Sequence, residues 1–315
     1  MSKVETNPFG SQGWIPNKLE SQKGKTFLIT GGNAGVGFEA TKLLASKGAK
    51  VIILSRNVIK VKAAIQEIKQ VNMDADIEFI HLDLASLESI RNAAQIINNS
   101  VEKIDAIICN AAIAQIAKQK FTLDGFESQL GVNYYGNFLL CGLLFDKIEQ
   151  SNGKIVLVSS LAYKMGYKKI QFEDMNFDKN YHPNNVYSHS KLALMMFSYE
   201  LQRRIKKQNK NVQVHVCHPG SSKTTLIRED ANLITRVMYK LLTPFWQSAE
   251  KGSWPEVLCA TENSLEAETF YGPTKRAEMV GPIGKSTLLP FVLDRKIAAK
   301  LWSVSEEKVD FKWPL

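Results

Sequence analysis

Lys25-Thr26-Phe27-Leu28-Ile29-Thr30-Gly31-Gly32-Asn33-Ala34-Gly35-Val36-Gly37 is the stretch on which the reading of this chain turns. An apolar run ends in a glycine-rich turn, and the turn opens into Phe38-Glu39-Ala40-Thr41-Lys42-Leu43-Leu44, a helix-forming segment. A strand, a glycine turn and a helix start in that order make a phosphate cradle. Glycine lets the backbone bend sharply and approach a pyrophosphate, while the helix N-terminus offers unpaired N–H groups. Gly31, Asn33, Ala34, Gly35, Val36 and Gly37 are therefore the first candidate binding residues. Tight structural turns use the same residues, so the rest of the chain has to decide.

Outward from that turn, short β-branched runs alternate with helical stretches. The pattern predicts strands at Thr26–Thr30, Lys50–Ser55, Ile77–Leu82, Ala106–Cys109, Lys154–Ser159, Val212–Cys217 and Thr269–Tyr271, with helices such as Val58–Val71, Leu87–Ser100, Leu139–Gln150 and Lys191–Lys207 between them. Strands apolar throughout and separated by helices imply a parallel sheet covered on both faces. The expected fold is a single α/β domain, a Rossmann-type doubly wound sheet of about seven strands, with ligands at the strands' carboxyl ends. Residues 1–22 read as an N-terminal arm. Residues 23–315 read as one nucleotide-binding domain, with a substrate lid at about 221–266 and a C-terminal extension.

Composition narrows the class. The 315 residues are 44% hydrophobic and 23% charged, with a formal net charge of +9. That charge is diffuse; its densest run, Arg203-Arg204-Ile205-Lys206-Lys207-Gln208-Asn209-Lys210, ends a helix, where cations complement the macrodipole. No nucleic-acid partner is expected. The four cysteines show no metal spacing and the histidines no HExxH pattern, so no metal is expected and the thiols suit a reducing compartment. The first 18 residues lack the apolar run of a secretory signal. Ser128–Phe145 is uncharged, but Gln129, Asn133, Asn137 and three glycines interrupt it, so it reads as an interior helix and not a membrane span. A cytoplasmic protein is expected.

The second strand ends in Ser55-Arg56, with Lys60 one helical turn on, where an acidic residue would favour NAD by holding a ribose 2′-hydroxyl. A guanidinium grips a 2′-phosphate instead, so NADP(H) is expected ahead of NAD(H). Asp83-Leu84 follows the third strand, where the aspartate either caps its loop or contacts adenine. Asn110-Ala111 follows the fourth, with small residues beside which a flat ring or sugar fits. Tyr187 and Lys191 stand four apart, on one helix face. A free phenol has a pKa of about 10, and a nearby ammonium is expected to lower it. Ser160, at the end of the fifth strand, can hold a substrate oxygen. Chance is a poor account of these residues together with Asn133.

The chain resembles a short-chain dehydrogenase/reductase, nearest the retinol-dehydrogenase-like branch that also includes light-dependent protochlorophyllide reductases. The resemblance covers roughly Lys23 to Pro273, with the turn present as Thr30, Gly31, Gly35 and Gly37. It implies an active-site tetrad of Asn133, Ser160, Tyr187 and Lys191, with Ser160 chosen over Ser159. In this family the asparagine bends its helix and holds a water that links the lysine to solvent. The resemblance also implies that Lys191 binds the nicotinamide ribose, and that Pro219, Gly220 and Thr224 line the nicotinamide. Ala112 departs from the customary glycine.

The implied reaction is hydride transfer between nicotinamide and a carbonyl or alcohol, with Tyr187 exchanging the proton. The lid carries Leu226, Ile227, Leu233, Ile234, Val237, Met238, Tyr239, Leu241, Leu242, Phe245 and Trp246. These form either an apolar wall for a lipophilic small molecule or a helix packed on the sheet. Two alternatives stay open, a protochlorophyllide-type reductase and a non-catalytic NADP(H)-sensing protein on the same scaffold. His182 and His189 are expected at a loop or helix surface. A homodimer through the helices bearing Asn133 and Tyr187, or a C-terminal region covering that face, are both open, as is peripheral membrane contact.

Overall fold

The computed structural model describes residues 7–222 and 246–315. Its sheet has the order β3-β2-β1-β4-β5-β6-β7-β8. The strands are β1 Thr26–Thr30, β2 Lys50–Ser55, β3 Ile77–His81, β4 Ala106–Cys109, β5 Lys154–Val158, β6 Gln213–Cys217, β7 Phe270–Lys275 and β8 Val280–Ser286. Pairings are parallel from β3 across to β7, in register such as Leu28 with Ile52, and β7 pairs with β8 antiparallel. The eighth strand is an addition to the seven expected. Its sequence, Val-Gly-Pro-Ile-Gly-Lys-Ser, has too few β-formers to announce itself. The chain changes direction across the sheet between β1 and β4, which opens a crevice above their carboxyl ends.

Alternation along β1 feeds two cores. Leu28 faces a layer with Ile90, Phe138, Leu194 and Trp302; Phe27 and Ile29 face the other, with Leu44, Val61 and Val257. The first layer contains α3 (Leu87–Ser100), α5 (Gly136–Leu143), α7 (Pro183–Lys207) and α9 (Arg295–Lys308). The second contains α1 (Gly35–Ser46), α2 (Val58–Val71) and α8 (Ala249–Thr261). Side chains cap most of these helices: Asn57 accepts from Lys60 N, Ser86 from Ser89 N, and Asp294 from Lys296 N and Ile297 N. Helix α1 has no such cap and no acid in its first turn.

Ser128–Phe145 is buried, but it is not one regular helix. A short α4 (Ser128–Leu130) runs into a π-helical turn at Gly131–Tyr135, then α5, and then α6 (Phe145–Gln150). Among the described residues, no helix is long and apolar enough to cross a membrane. The arm joins the same body: Trp14 is buried and donates its N–H to Ile283 O of β8 at 3.1 Å. At the other end, Trp313 packs on Phe138 of α5 and Phe197 of α7, with ring centroids 5.6 and 5.7 Å away. The face suggested for pairing is thus covered in part by the chain's own C-terminal residues. Of the basic run, Arg203 and Arg204 both bind Glu200, at 2.9 and 2.8 Å, and Lys210 binds Glu149 at 2.9 Å.

Candidate active site

The glycine turn needs its glycines. Gly31 and Gly35 have φ of 69° and 57°, the left-handed region where a side chain is strained. A Cβ on Gly31 would lie 3.2 Å from that of Ala111, and one on Gly37 would collide with the Asn110 amide. Thr30 ties the turn to the fourth strand's end: its Oγ1 accepts from Ala111 N at 3.0 Å, and its carbonyl accepts from Asn110 Nδ2 at 3.0 Å. Asn110 and Ala111 therefore stand beside the turn. Asn33 and Ala34 are accessible at its crest, while Val36 is buried and packs near Gly252 of α8. The uncapped N-terminus of α1, with no acid in its first turn, fits a pyrophosphate.

Ser55 and Arg56 close β2 at the same edge. Arg56 is exposed, and its Nη1 lies 3.9 Å from Asp83 Oδ1, the limit of an ion pair. Ser55 Oγ accepts from Asn57 N at 3.3 Å, and Lys60 is exposed. Asp83 caps its own loop, with Oδ1 accepting from Ala85 N at 2.9 Å. Leu84 is buried against Gly136, where a Cβ would meet the Leu84 carbonyl at 2.7 Å.

Helix α7 starts at Pro183, eight residues earlier than the pattern suggested, so Tyr187 and Lys191 both lie within it. Ser160 hydrogen-bonds the Tyr187 hydroxyl. Its Oγ also accepts from Ala162 N at 3.2 Å, which caps the 3-10 turn Leu161–Lys164. Ser159 is buried, with its hydroxyl on the Lys191 carbonyl at 3.4 Å, so Ser160 is the accessible member of the pair. Lys191 Nζ donates to Val158 O at 2.8 Å, and burial pulls its pKa down to about 8. The expected lowering of the Tyr187 pKa is not what this structure gives. Burial raises it, and the Ser160 hydrogen bond opposes that rise only in part.

Asn133 sits in the π-helical turn, fully buried. Its Oδ1 accepts from Ile113 N and its Nδ2 donates to Ile113 O, both at 2.9 Å. The same Nδ2 donates to Ser190 Oγ at 3.0 Å, and Ser190 donates in turn to the Tyr187 carbonyl at 2.8 Å. Ser190 was missed in the sequence; its place three residues after Tyr187, on the same helix face, was the available signal.

Gly220 has φ of 63°, and a Cβ there would strike the Met279 carbonyl, so the Pro219-Gly220 turn is closed by the β7–β8 hairpin. His218 is buried beneath it. Its Nδ1 accepts from Gly220 N at 3.2 Å, leaving Nε2–H for Ser286 Oγ at 2.9 Å; burial holds its pKa down at about 3. Thr224 and the lid residues from Leu226 to Phe245 lie outside the described residues. Beyond Trp246, the lid's expected end is α8, a helix packed beneath the sheet. His182 is exposed, but His189 is buried, which corrects the surface expectation. Its Nε2 accepts from Gln171 N at 3.0 Å and its ring meets Phe177 edge-on. Among the described residues, no group of three or more His, Cys, Asp or Glu could hold a metal ion.

Residues 25–232 match the family model of the short chain dehydrogenases. Human retinol dehydrogenase 12 is 34% identical over 293 residues, covering 92% of this chain and 88% of its own. Human polyprenol dehydrogenase is 30% identical over 301 residues, covering 94% and 88%. A crystal structure of an uncharacterized protein from Mycobacterium paratuberculosis superposes with a TM-score of 0.77 at 31% identity, over 96% of this chain and 100% of that one. Given this match and the geometry of the turn and the strand ends, the chain belongs to the short-chain dehydrogenase family.

Proposed function

We propose that the protein is an NADP(H)-dependent oxidoreductase that interconverts a lipophilic aldehyde or ketone with its alcohol. The observation that carries this reading is the meeting of Ser160, Tyr187 and Lys191 at the carboxyl end of β5, two strands across the sheet from the β1 that leads into the glycine turn. The turn from Gly31 to Gly37 and the head of α1 would hold the pyrophosphate, with Asn110 and Ala111 beside the adenosine half. Arg56, with Lys60 nearby, would take the 2′-phosphate, since its ion pair with Asp83 is long and its guanidinium exposed. Lys191 would reach the nicotinamide ribose, and Pro219-Gly220 would line the ring. When bound, the nicotinamide supplies a hydride donor or acceptor.

The protein's own part is proton transfer and positioning. Ser160 orients the substrate oxygen, and Tyr187 gives it a proton in reduction and removes one in oxidation. A phenol held protonated by burial is ready to donate at neutral pH. Lys191, fixed by Val158, offsets negative charge that develops on the phenol oxygen. The names of the retinol and polyprenol dehydrogenases support a lipophilic alcohol or carbonyl. The test is Tyr187→Phe: NADPH binding, followed by cofactor fluorescence, should persist while turnover drops by about 10²–10⁴-fold. Wild-type turnover in that variant would overturn the assignment.

A further inference from the structure

Two segments not yet given a role meet at the rim of the site. One is the 3-10 turn that Ser160 caps, Leu161–Lys164, continuing into Met165 and Gly166. Gly166 seats it on α7, where a Cβ would lie 3.2 Å from that of Ser188, the neighbour of Tyr187. The other is the tip of the β7–β8 hairpin. Arg276, Ala277 and Glu278 there have φ of 50°, 54° and 64°, three successive non-glycine residues in the left-handed region. Such a run crowds each Cβ against a carbonyl and persists only where its surroundings hold it.

Glu278 supplies the hold. One carboxylate oxygen pairs with Lys164 Nζ, and the other accepts from Thr287 N at 2.6 Å. The next carbonyl, of Met279, accepts from Ser221 N at 2.8 Å, beside Gly220. The strained tip is thus fastened both to the turn after Ser160 and to the turn after Pro219. The residue following each member of the ion pair is a methionine, and both are open to solvent: Met165 is 61% exposed and Met279 42%.

Resting on the proposed carbonyl chemistry, we propose that Met165 and Met279 form the apolar seat for the substrate's tail and that Lys164–Glu278 is the clasp fixing the distance between them. Unbranched thioethers adapt to apolar chains of varied shape, so the seat favours long, unbranched or polyene tails without demanding one outline. Glu278 and Lys164 act here as positioning residues, since they reach the substrate only through the two jaws they join.

The test uses the full chain with NADPH and unbranched aldehydes from propanal to dodecanal. Binding of 1-dodecanol to the NADPH complex, read by cofactor fluorescence, gives a second readout that needs no turnover. In the wild type, kcat/KM should climb with chain length. In Met165→Ser/Met279→Ser that climb should shrink by about tenfold at dodecanal relative to propanal, with a matching loss in dodecanol affinity, the worth of one to two buried methylenes. Glu278→Gln should raise KM for dodecanal more than for propanal, with kcat changed less than KM. A chain-length profile in the double variant parallel to that of the wild type overturns the inference and leaves the proposed function standing. Failure of the wild type to reduce any aldehyde counts against the function instead. The dodecanol comparison then still decides the seat: unchanged affinity in the double variant overturns it, and weakened affinity supports it.

Discussion

Lys191 Nζ lies 5.9 Å from the centroid of the Tyr187 ring while donating to the Val158 carbonyl at 2.8 Å. The strand end therefore fixes the lysine under the phenol, and burial of both groups sets their titration in opposite senses. Burial disfavours charge on each, so the phenol stays protonated to higher pH and the ammonium loses its proton more readily.

A pH dependence follows with a definite sign. Reduction needs the protonated phenol and should be level through neutrality, falling as Lys191 loses its proton near pH 8 and again as the phenol ionises. Oxidation needs the proton removed, so its kcat/KM should rise with pH over the alkaline range. Lys191→Met should lower the rates most below about pH 8, where the wild-type ammonium is charged and offsets charge on the phenol oxygen, and least above it. Steady-state profiles in both directions check this; equal rates of variant and wild type below about pH 8 would remove Lys191 from the role.

Asn133 and Ser190 should matter through geometry. Ser190→Ala removes the link from Asn133 to the Tyr187 carbonyl, and is expected to cost about 1 kcal/mol of stability. Asn133→Ala also strips both hydrogen bonds from Ile113 and should cost more, about 1–3 kcal/mol. Both should reduce kcat with little change in KM for the cofactor. Urea unfolding together with kinetics separates the effects, and a Ser190→Ala enzyme with wild-type kcat would count against the bridge.

Cofactor choice rests on Arg56. Arg56→Ala should raise KM for NADPH by about 10–100-fold, the range of a lost charge-assisted hydrogen bond, and leave KM for NADH nearly unaltered. Equal losses for the two cofactors would place Arg56 away from the 2′-phosphate.

What the sequence made legible was what neighbouring residues decide. The β1 strand, its glycine turn and α1 are written in one unbroken stretch, Thr26 to Ser46, and Tyr187 and Lys191 need only a helix to share a face. Features settled by distant partners stayed hidden. His189 is buried because Phe177 and Gln171 close over it, and β8 is a strand because β7 and Trp14 pair with it. The π-helical turn at Asn133 has no local marker, since Gly-Val-Asn-Tyr-Tyr fits an ordinary helix as well; packing settles it.

Glu256 gives a prediction on stability. It lies on α8, 1% exposed, and neither carboxylate oxygen has a hydrogen-bond partner among the described residues. Burial raises its pKa well above the ordinary 4.5, so the folded chain holds a proton that the unfolded chain releases. Between the unfolded and folded pKa values the native state binds more protons, and stability must fall as pH rises through that window. Glu256→Gln cannot ionise and should escape this slope. Its melting temperature should gain on that of the wild type from about pH 5 to about pH 8, with the difference smallest at the acid end. Parallel melting curves across that range would mean that the carboxyl is ionised and compensated within the fold.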